Sequence, residues 1–162
     1  MKNVYCETTI ISYQTSRPNR DVLLTAQQQI TYQWWEEYRP YVRIFISQSV
    51  VNEISSGDVN AAARRLTLID GIPLLDMDNS ILLLAQKLVD SGHIPVKVQE
   101  DAIHIAIASV HGMDYILSWN CKHIVNPAIQ RKLEPIISKA GYRMPVICTP
   151  FEFIEGEYHV ER

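Results

Sequence analysis

The sequence predicts an α/β fold in which a mainly parallel central sheet is sandwiched between helices, a three-layer α/β/α arrangement. One observation leads to this fold class, and a second leads to the number of domains. Short apolar strand candidates alternate with helix candidates along the chain, and this alternation is typical of parallel sheets covered on both faces. The 162 residues contain no repeat, low-complexity segment or linker rich in proline and glycine. We therefore expect a single domain spanning residues 1–162.

The strand candidates are short apolar runs bounded by polar or turn-forming residues. In the second run, Val42, Ile44 and Ile46 alternate with other residues, which is the periodicity of a strand. Gly71 precedes the third run, a short segment expected to be buried. The predicted strands cover residues 3–6, 41–46, 72–75, 115–117 and 146–148.

The helix candidates are recognised by their end signals and by apolar residues at helical spacing. Asp58 is a predicted N-cap, and Gly92 a predicted stop. The segment 98–110 is apolar on most of its faces, which predicts a central buried helix, and Pro135 is expected to kink or split the last helix. The predicted helices cover residues 10–15, 21–38, 48–55, 58–68, 79–91, 98–110 and 127–140.

Charge and hydropathy narrow the classes of function. Fifteen Lys and Arg against eighteen Asp and Glu give a net charge of −3 and a pI near 5.9. A domain that coats nucleic acid through phosphate contacts alone is usually strongly basic, although a local acidic centre can meet phosphate through metal ions. No apolar run reaches the roughly 18 residues that cross a bilayer. Glu7 lies where a signal peptide needs apolar residues, so we expect a cytoplasmic protein without a membrane partner.

Cysteine usage does not indicate a disulfide scaffold or a zinc site. The cysteines are odd in number and lack C-x-x-C spacing, so reduced and mostly buried thiols are expected. They are Cys6, Cys121 and Cys148. Cys121 and His123 lie close together in the sequence, but two ligands are too few for zinc.

Acidic and amide side chains lie near the ends of the predicted strands. Glu7 directly follows the first strand, Glu53 lies on the helix after the second, Asp101 opens the buried helix, and Asn120 follows the fourth strand. Ligands of parallel sheets bind at the carboxyl ends of the strands, where these side chains could converge. Three carboxylates that meet repel one another unless a cation joins them, and oxygen ligands suit Mg²⁺ or Mn²⁺. Taken singly, each has an ordinary explanation as a first-turn acid, a surface acid or a turn residue.

Further polar residues near these positions are candidates for contacting substrate or supporting the site. They are Thr8, Ser118, His104 and Lys122. His104 lies one turn beyond Asp101 and could orient a ligand or contact phosphate, but a neutral, hydrogen-bonded core histidine is an equally ordinary interpretation. Lys122 could contact phosphate, whereas most such lysines are simply solvated.

The ordered set of motifs resembles that of PIN-domain proteins, in particular the VapC-like ribonuclease toxins of type II toxin–antitoxin systems. The resemblance spans nearly the whole chain and rests on the segments VYCETTII (4–11), SVVNE (49–53), DAIHIA (101–106) and DYILSWN (114–120). It implies a PIN-like fold and an endoribonuclease that depends on Mg²⁺ or Mn²⁺. Glu7, Glu53, Asp101 and Asn120 are then the expected metal-binding and catalytic residues. The implied partners are an RNA substrate, a small antitoxin protein and a second copy of the chain in a homodimer.

The sequence departs from the family pattern at two of these positions. Glu7 stands where the family usually has Asp, and its side chain is one methylene longer. Asn120, in Ser118-Trp119-Asn120, stands where an Asp after a Thr-x pair is common, so the cluster holds about one charge fewer, although an amide oxygen still serves as a ligand. These departures favour the alternative function, a PIN-fold module that binds RNA or protein with little or no nuclease activity. A nuclease acting on DNA would keep the same site and differ only in substrate.

Overall fold

A parallel sheet organises residues 1–160, which are the residues that the computed structural model describes. Its five strands within this range are β1 (Asn3–Cys6), β2 (Arg43–Ser47), β3 (Leu74–Leu75), β4 (Tyr115–Leu117) and β5 (Val146–Cys148). The strand order is β3-β2-β1-β4-β5, and each neighbouring pair is parallel. The predicted α/β class with a parallel central sheet is therefore confirmed.

Eight α-helices in the same range surround the sheet and complete the three-layer α/β/α arrangement. They are α1 (Thr8–Thr15), α2 (Val22–Gln33), α3 (Gln48–Ile54), α4 (Val59–Leu68), α5 (Asn79–Asp90), α6 (Gln99–Val110), α7 (Pro127–Lys139) and α8 (Pro150–Val160). Helix α1 contacts α2, α3 and α4, whereas α5 contacts α6 and α7.

The two central strands and α6 form the middle of the hydrophobic core. Residues 4–6 of β1 and residues 116–117 of β4 have no exposed surface, because strands on both sides and helices on both faces cover them. Helix α6 is buried along most of its length, as its apolar sequence predicts. The chain segments that leave β1 and β4 therefore start from rigid positions.

The predicted helix over 21–38 is only partly α-helical. Helix α2 ends at Gln33, a π-helical turn follows over Trp34–Tyr38, and a 3₁₀ turn covers Arg39–Tyr41. The second strand consequently begins at Arg43 rather than at residue 41. The wider π turn accompanies the burial of both adjacent indole rings, since Trp34 is 0% and Trp35 is 9% exposed.

Helix α8 was not predicted, although its start signal is present in the sequence. Thr149 caps the helix by accepting a hydrogen bond from the backbone N–H of Glu152 at 3.3 Å, and Pro150 occupies the first helical position. A Thr three residues before a Glu, with Pro between them, is a known N-terminal pattern. The helix buries Phe153 and Ile154.

Helix α7 continues through Pro135, so the predicted split does not occur. Pro135 removes a donor from the carbonyl group of Arg131. Both residues are exposed, so water can pair that carbonyl group at little cost. Smaller differences affect β3, which is limited to residues 74–75, and α1, which begins at Thr8.

No helix within the described residues is long and apolar enough to cross a membrane. Cys6 and Cys148 are buried, as expected for core thiols, whereas Cys121 is exposed. The extent of the domain, 1–162, stays a prediction, and residues 161 and 162 lie outside the described residues.

Candidate metal centre

The carboxyl ends of β1, β2 and β4 bring polar side chains to one edge of the sheet. Glu7 and Ser118 directly follow β1 and β4, Glu53 lies on the helix that follows β2, and Asp101 lies in the first turn of α6. The strands are in parallel register, so their ends stand at the same level. Ligand atoms of Glu7, Glu53 and His104 lie within 4.8 Å of one another.

Glu7 is buried and held by three hydrogen bonds to one carboxylate oxygen. Its Oε2 accepts from the backbone N–H of Thr9 at 3.1 Å, from Thr9 Oγ1 at 2.5 Å and from Ser118 Oγ at 2.8 Å. Glu7 thereby caps α1, where a carboxylate is also favoured by the helix dipole. Among the described residues Oε1 receives no hydrogen bond, which leaves this oxygen open to a further ligand.

Glu53 belongs to a chain of four hydrogen-bonded side chains that enters the core. Glu53 Oε1 lies 2.6 Å from His104 Nε2, and His104 Nδ1 lies 2.7 Å from the hydroxyl group of Tyr5. That hydroxyl group lies 2.7 Å from Ser47 Oγ. His104 and Ser47 are each 1% exposed and Tyr5 is 0% exposed, whereas the Glu53 side chain is 34% exposed. The chain therefore connects a buried network to a carboxylate at the surface.

The contact between Glu53 and His104 changes the pKa of both groups. Burial acts to raise the pKa of Glu53, but the hydrogen bond and charge of His104, with a contribution from the Thr8 hydroxyl group, lower it overall. Burial acts to lower the pKa of His104, but the hydrogen bond to Glu53 and the charge of Glu7 raise it overall. Both shifts favour a pair of carboxylate and imidazolium.

Asp101 and Asn120 form a second pair beside this group. Asn120 Nδ2 donates to Asp101 Oδ1 at 3.2 Å, and Asn120 Oδ1 accepts from the backbone N–H of His123 at 3.1 Å. The backbone N–H of Asn120 donates to Ser118 Oγ at 2.9 Å. Asp101 lies outside the 4.8 Å group, and burial raises its pKa despite the hydrogen bond from Asn120.

The structure thus places the predicted site residues in two connected pairs rather than in one tight cluster. Glu7 lies close to Glu53, and Asp101 is paired with Asn120. Ser118 connects the two pairs, because its hydroxyl group donates to Glu7 and accepts from Asn120. The predicted roles of the four residues as ligands stay predictions, and their arrangement provides the geometry for them.

His104 lies at the centre in contact with Glu53, and the sequence argument had left two interpretations of it open, a residue that orients a ligand and an ordinary core histidine. The signal that the sequence offers for a role of His104 is its position, because it is a polar residue one turn beyond Asp101 in an otherwise apolar helix. Of the other residues considered, Thr8 has a buried hydroxyl oxygen near Glu53, whereas the side chain of Lys122 is exposed. Sequence reasoning could not show that α3 and α6 approach closely enough for Glu53 to meet His104.

An aromatic pair adjoins the centre and was not predicted. The rings of Tyr13 and Trp119 stack with centroids 6.2 Å apart and planes 16° apart. Trp119 Nε1 donates to Thr31 Oγ1 at 2.8 Å, and its backbone N–H donates to Thr9 Oγ1 at the same distance. Burial and the charge of Glu7 raise the pKa of Tyr13. The pair fixes the segment between Ser118 and Asn120 against α1 and α2.

The donor chemistry of the centre fits a hard divalent cation. Glu7 and Glu53 each have one carboxylate oxygen held by the protein, and Asp101 and Asn120 add further oxygens nearby. Mg²⁺ and Mn²⁺ prefer such oxygen ligands. Without an ion, the one basic side chain within hydrogen-bond distance of these carboxylates in the described part of the chain is His104, which carries a positive charge only when it is protonated.

Two solved VapBC structures share this fold. One is VapBC2 from Rickettsia felis bound to a promoter DNA fragment. It aligns with a TM-score of 0.59 and 12% sequence identity, and the alignment covers 91% of this chain and 98% of that chain. VapBC-1 from nontypeable Haemophilus influenzae aligns with a TM-score of 0.54 and 15% identity, over 92% and 98% of the two chains. The chain has a VapC-like PIN fold. No family profile and no curated protein matches the sequence of this PIN-like chain, and identities this low relate the folds alone.

Proposed function

We propose that this PIN-like protein is a metal-dependent endoribonuclease that hydrolyses RNA phosphodiester bonds and acts as the toxin of a toxin–antitoxin pair. The main support is the approach of Glu7 and Glu53 to within 4.8 Å at the carboxyl edge of the sheet. Two carboxylates at this distance, with Asp101 nearby, form a centre of negative charge that a divalent cation relieves.

In this proposal Glu7, Glu53 and Asp101 hold the ion, and Asn120 completes its shell or fixes a ligating water. When bound, Mg²⁺ or Mn²⁺ lowers the pKa of a coordinated water and neutralises charge on the scissile phosphate. Ser118 holds the two pairs of residues in place through its hydroxyl group. Because the same oxygen of Glu7 takes all three protein hydrogen bonds, its carboxylate keeps one orientation.

The proposed partners follow from the toxin assignment. The chain would bind RNA at the edge that carries the carboxylates, where the exposed Lys122 is available for phosphate contact. A small antitoxin protein would bind the toxin, and we further propose a homodimer in the cytoplasm. The two similar structures are described as VapBC complexes, which supports the antitoxin.

RNA cleavage in the presence and absence of metal tests the proposed activity. We expect the purified protein to cut RNA with Mn²⁺ or Mg²⁺ and to stop in EDTA, because the carboxylates alone do not activate water. The variant Glu53→Gln should lose at least about 10–100-fold in activity, since changes around a metal centre commonly cost that much. Gel-resolved cleavage of a labelled RNA measures both effects.

The matched control is Glu36→Gln, which makes the same change at an exposed glutamate on the π-helical turn. It should cleave at the parental rate. Equal cleavage with chelator and with metal would overturn the metal mechanism. A Glu53→Gln variant as active as Glu36→Gln would remove Glu53 from the site.

The alternative function is a PIN-fold module that binds RNA or protein with little or no nuclease activity. The contact between His104 and Glu53 favours it, because a protonated His104, the form that its raised pKa favours, would balance part of the acidic charge without a metal ion. Glu7 and Asn120 also depart from the family pattern. Calorimetric titration with Mn²⁺ separates the two functions, since the binding module should show no specific heat of metal binding.

A further inference from the structure

The Glu53–His104–Tyr5–Ser47 chain contains three buried polar side chains in a largely apolar environment. Tyr5 lies on β1, Ser47 ends β2, and His104 lies on α6 between the buried residues of that helix. Burying such groups costs free energy unless every group is paired. Ser47 is paired with Tyr5, and Tyr5 is paired with His104 Nδ1. The other ring nitrogen, His104 Nε2, is hydrogen-bonded to Glu53.

The proton positions in this chain follow from the chemistry of the groups. A carboxylate can only accept hydrogen bonds, so the short 2.6 Å contact requires that His104 Nε2 carry a proton and donate it to Glu53 Oε1. A nitrogen that carries a proton has no lone pair for a metal ion. His104 therefore contacts the centre through Glu53 and is not itself a ligand while this contact exists.

We propose that His104 is a positioning residue, which holds the carboxylate of Glu53 in place for the metal ion and is itself held by Tyr5 and Ser47. This inference rests on the proposed metal centre and assigns the residue that orients one of its ligands. Glu53 is one-third exposed, and a glutamate side chain has several rotamers that lose entropy when it is fixed. Hydrogen bonds from neighbouring residues commonly orient metal ligands in this way.

The proposal explains why this series of hydrogen-bonded side chains ends at Glu53. A histidine with a purely structural role would be satisfied by partners inside the core, and Tyr5 alone supplies one. Instead, the second nitrogen bonds a carboxylate oxygen within 4.8 Å of Glu7. His104 thereby fixes one carboxylate oxygen of Glu53. In the same way, Ser118 and Thr9 fix one carboxylate oxygen of Glu7.

Two variants at His104 separate positioning from ligation and from packing. His104→Leu replaces the imidazole by an apolar side chain of similar size and removes the donor to Glu53. His104→Gln keeps an N–H near the position of Nε2 and provides no imidazole nitrogen. The matched control is Ser109→Ala on the same helix, a residue that is 2% exposed and whose hydroxyl group bonds only the backbone oxygen of Ile105 within the described chain.

The measurements are Mn²⁺ affinity by calorimetry without RNA and the position of Glu53 in crystals of the metal-free variants. We expect His104→Leu to weaken Mn²⁺ binding by about 10–100-fold and to displace the Glu53 carboxylate. His104→Gln and Ser109→Ala should stay near the parental affinity, with Glu53 in place in both. This pattern would support positioning.

Other outcomes overturn the proposal in distinguishable ways. Parental affinity in His104→Leu would overturn positioning and leave the proposed metal centre standing. Equal weakening in His104→Gln and His104→Leu, with the Glu53 carboxylate in its parental position in both, would overturn positioning and point to the imidazole itself as a ligand. Absence of Mn²⁺ binding by the parent would remove the metal centre, and positioning of a metal ligand would fall with it.

A third variant keeps the test decisive if His104→Leu does not fold. Tyr5→Phe removes the hydroxyl group that holds His104 Nδ1 and leaves the donor to Glu53 in place. We expect the Mn²⁺ affinity of Tyr5→Phe to lie between that of the parent and that of a variant that lacks the His104 donor. Parental affinity and an undisplaced Glu53 in Tyr5→Phe would overturn the proposed chain of support.

Discussion

At the scale of single residues, Asp114 shows how one carboxylate joins distant parts of the chain. Its Oδ2 accepts from the backbone N–H of Asn3 at 2.8 Å, and its Oδ1 accepts from Arg143 at 3.3 Å. The backbone N–H of Asn3 is the largest cause of the lowered pKa of Asp114, with Arg143 adding to it. The side chain therefore stabilises the start of β1 beside the start of β4.

Replacing Asp114 should reduce stability in a pH-dependent manner. Asp114→Ala should lose about 1 kcal/mol at neutral pH, because a hydrogen bond to a charged acceptor is removed at a partly exposed site. Asp114→Asn should lose less, since its amide oxygen can still accept from Asn3. Urea unfolding at several pH values measures the loss.

The sign of the pH dependence follows from the lowered pKa. A carboxyl group with a depressed pKa in the folded state stabilises the protein above its unfolded pKa, near 3.9. This stabilisation is lost as the pH falls through the folded pKa, so parent and Asp114→Asn should converge under acid conditions. A constant difference from neutral pH to acid would show that the charge of Asp114 has no part in the stabilisation.

At the scale of elements, α8 is fixed by an aromatic cluster around one phenylalanine. The ring of Phe153 meets Tyr115, Trp34 and Tyr38 edge-on, with centroids 4.9, 5.9 and 6.5 Å away. Edge-to-face aromatic pairs at such distances stabilise beyond the area that they bury. The helix thus attaches to β4 and to the π-helical turn through a side chain whose partners lie far away in sequence.

Truncating Phe153 should therefore loosen α8, whereas truncating its exposed neighbour should not. Phe153→Ala should cost about 3–5 kcal/mol, because it removes a buried ring and leaves a cavity. Phe151→Ala is the control on the same helix, and its 51% exposure predicts a change within about 0.5 kcal/mol. Thermal and urea unfolding provide the comparison, and equal losses in the two variants would contradict the packing argument.

At the scale of the whole molecule, the charges of the candidate metal centre affect the stability of the fold. Burial raises the pKa of Asp101, with the charge of Glu7 adding to it. The ionised form of Asp101 is therefore less favourable in the folded state, and it lowers stability as the pH rises above the unfolded pKa and through the folded pKa. A bound cation would reverse this effect.

Asp101→Asn tests this coupling. In EDTA at neutral pH the variant should melt at or above the temperature of the parent, because an unfavourable, partly buried charge is removed while the amide oxygen still accepts from Asn120. At a Mn²⁺ concentration 100 times the dissociation constant, the ion should stabilise the parent by roughly 2.7 kcal/mol. It should stabilise the variant by less. RNA cleavage by the variant should fall by at least about 10–100-fold.

Thermal melting with and without Mn²⁺, together with the cleavage assay, decides the outcome. If Asp101 were only a first-turn acid, its replacement would cost about 0.3–1 kcal/mol through the helix dipole and leave the response to metal unchanged. A variant that is destabilised in EDTA, responds to Mn²⁺ as the parent does and still cuts RNA would exclude Asp101 from the centre.

The sequence by itself determined the fold class, the strand positions and the neighbourhood of the centre. Alternation of apolar runs with helical periods depends only on local spacing, so it located the five strands within a few residues. The position of Glu7 directly after β1 follows from the same local pattern. The resemblance to VapC-like PIN proteins, drawn from ordered short motifs, is confirmed at the level of the fold.

Only the tertiary structure decided which side chains meet at that edge. The approach of Glu53 to His104 depends on how α3 packs against α6, and these residues are 51 positions apart. The pairing of Asp101 with Asn120, and the burial of Trp34 and Trp35 in a π-helical turn, depend likewise on packing between distant segments. Local periodicity contains no information about such contacts, because they are set by the fit of side chains in the assembled core.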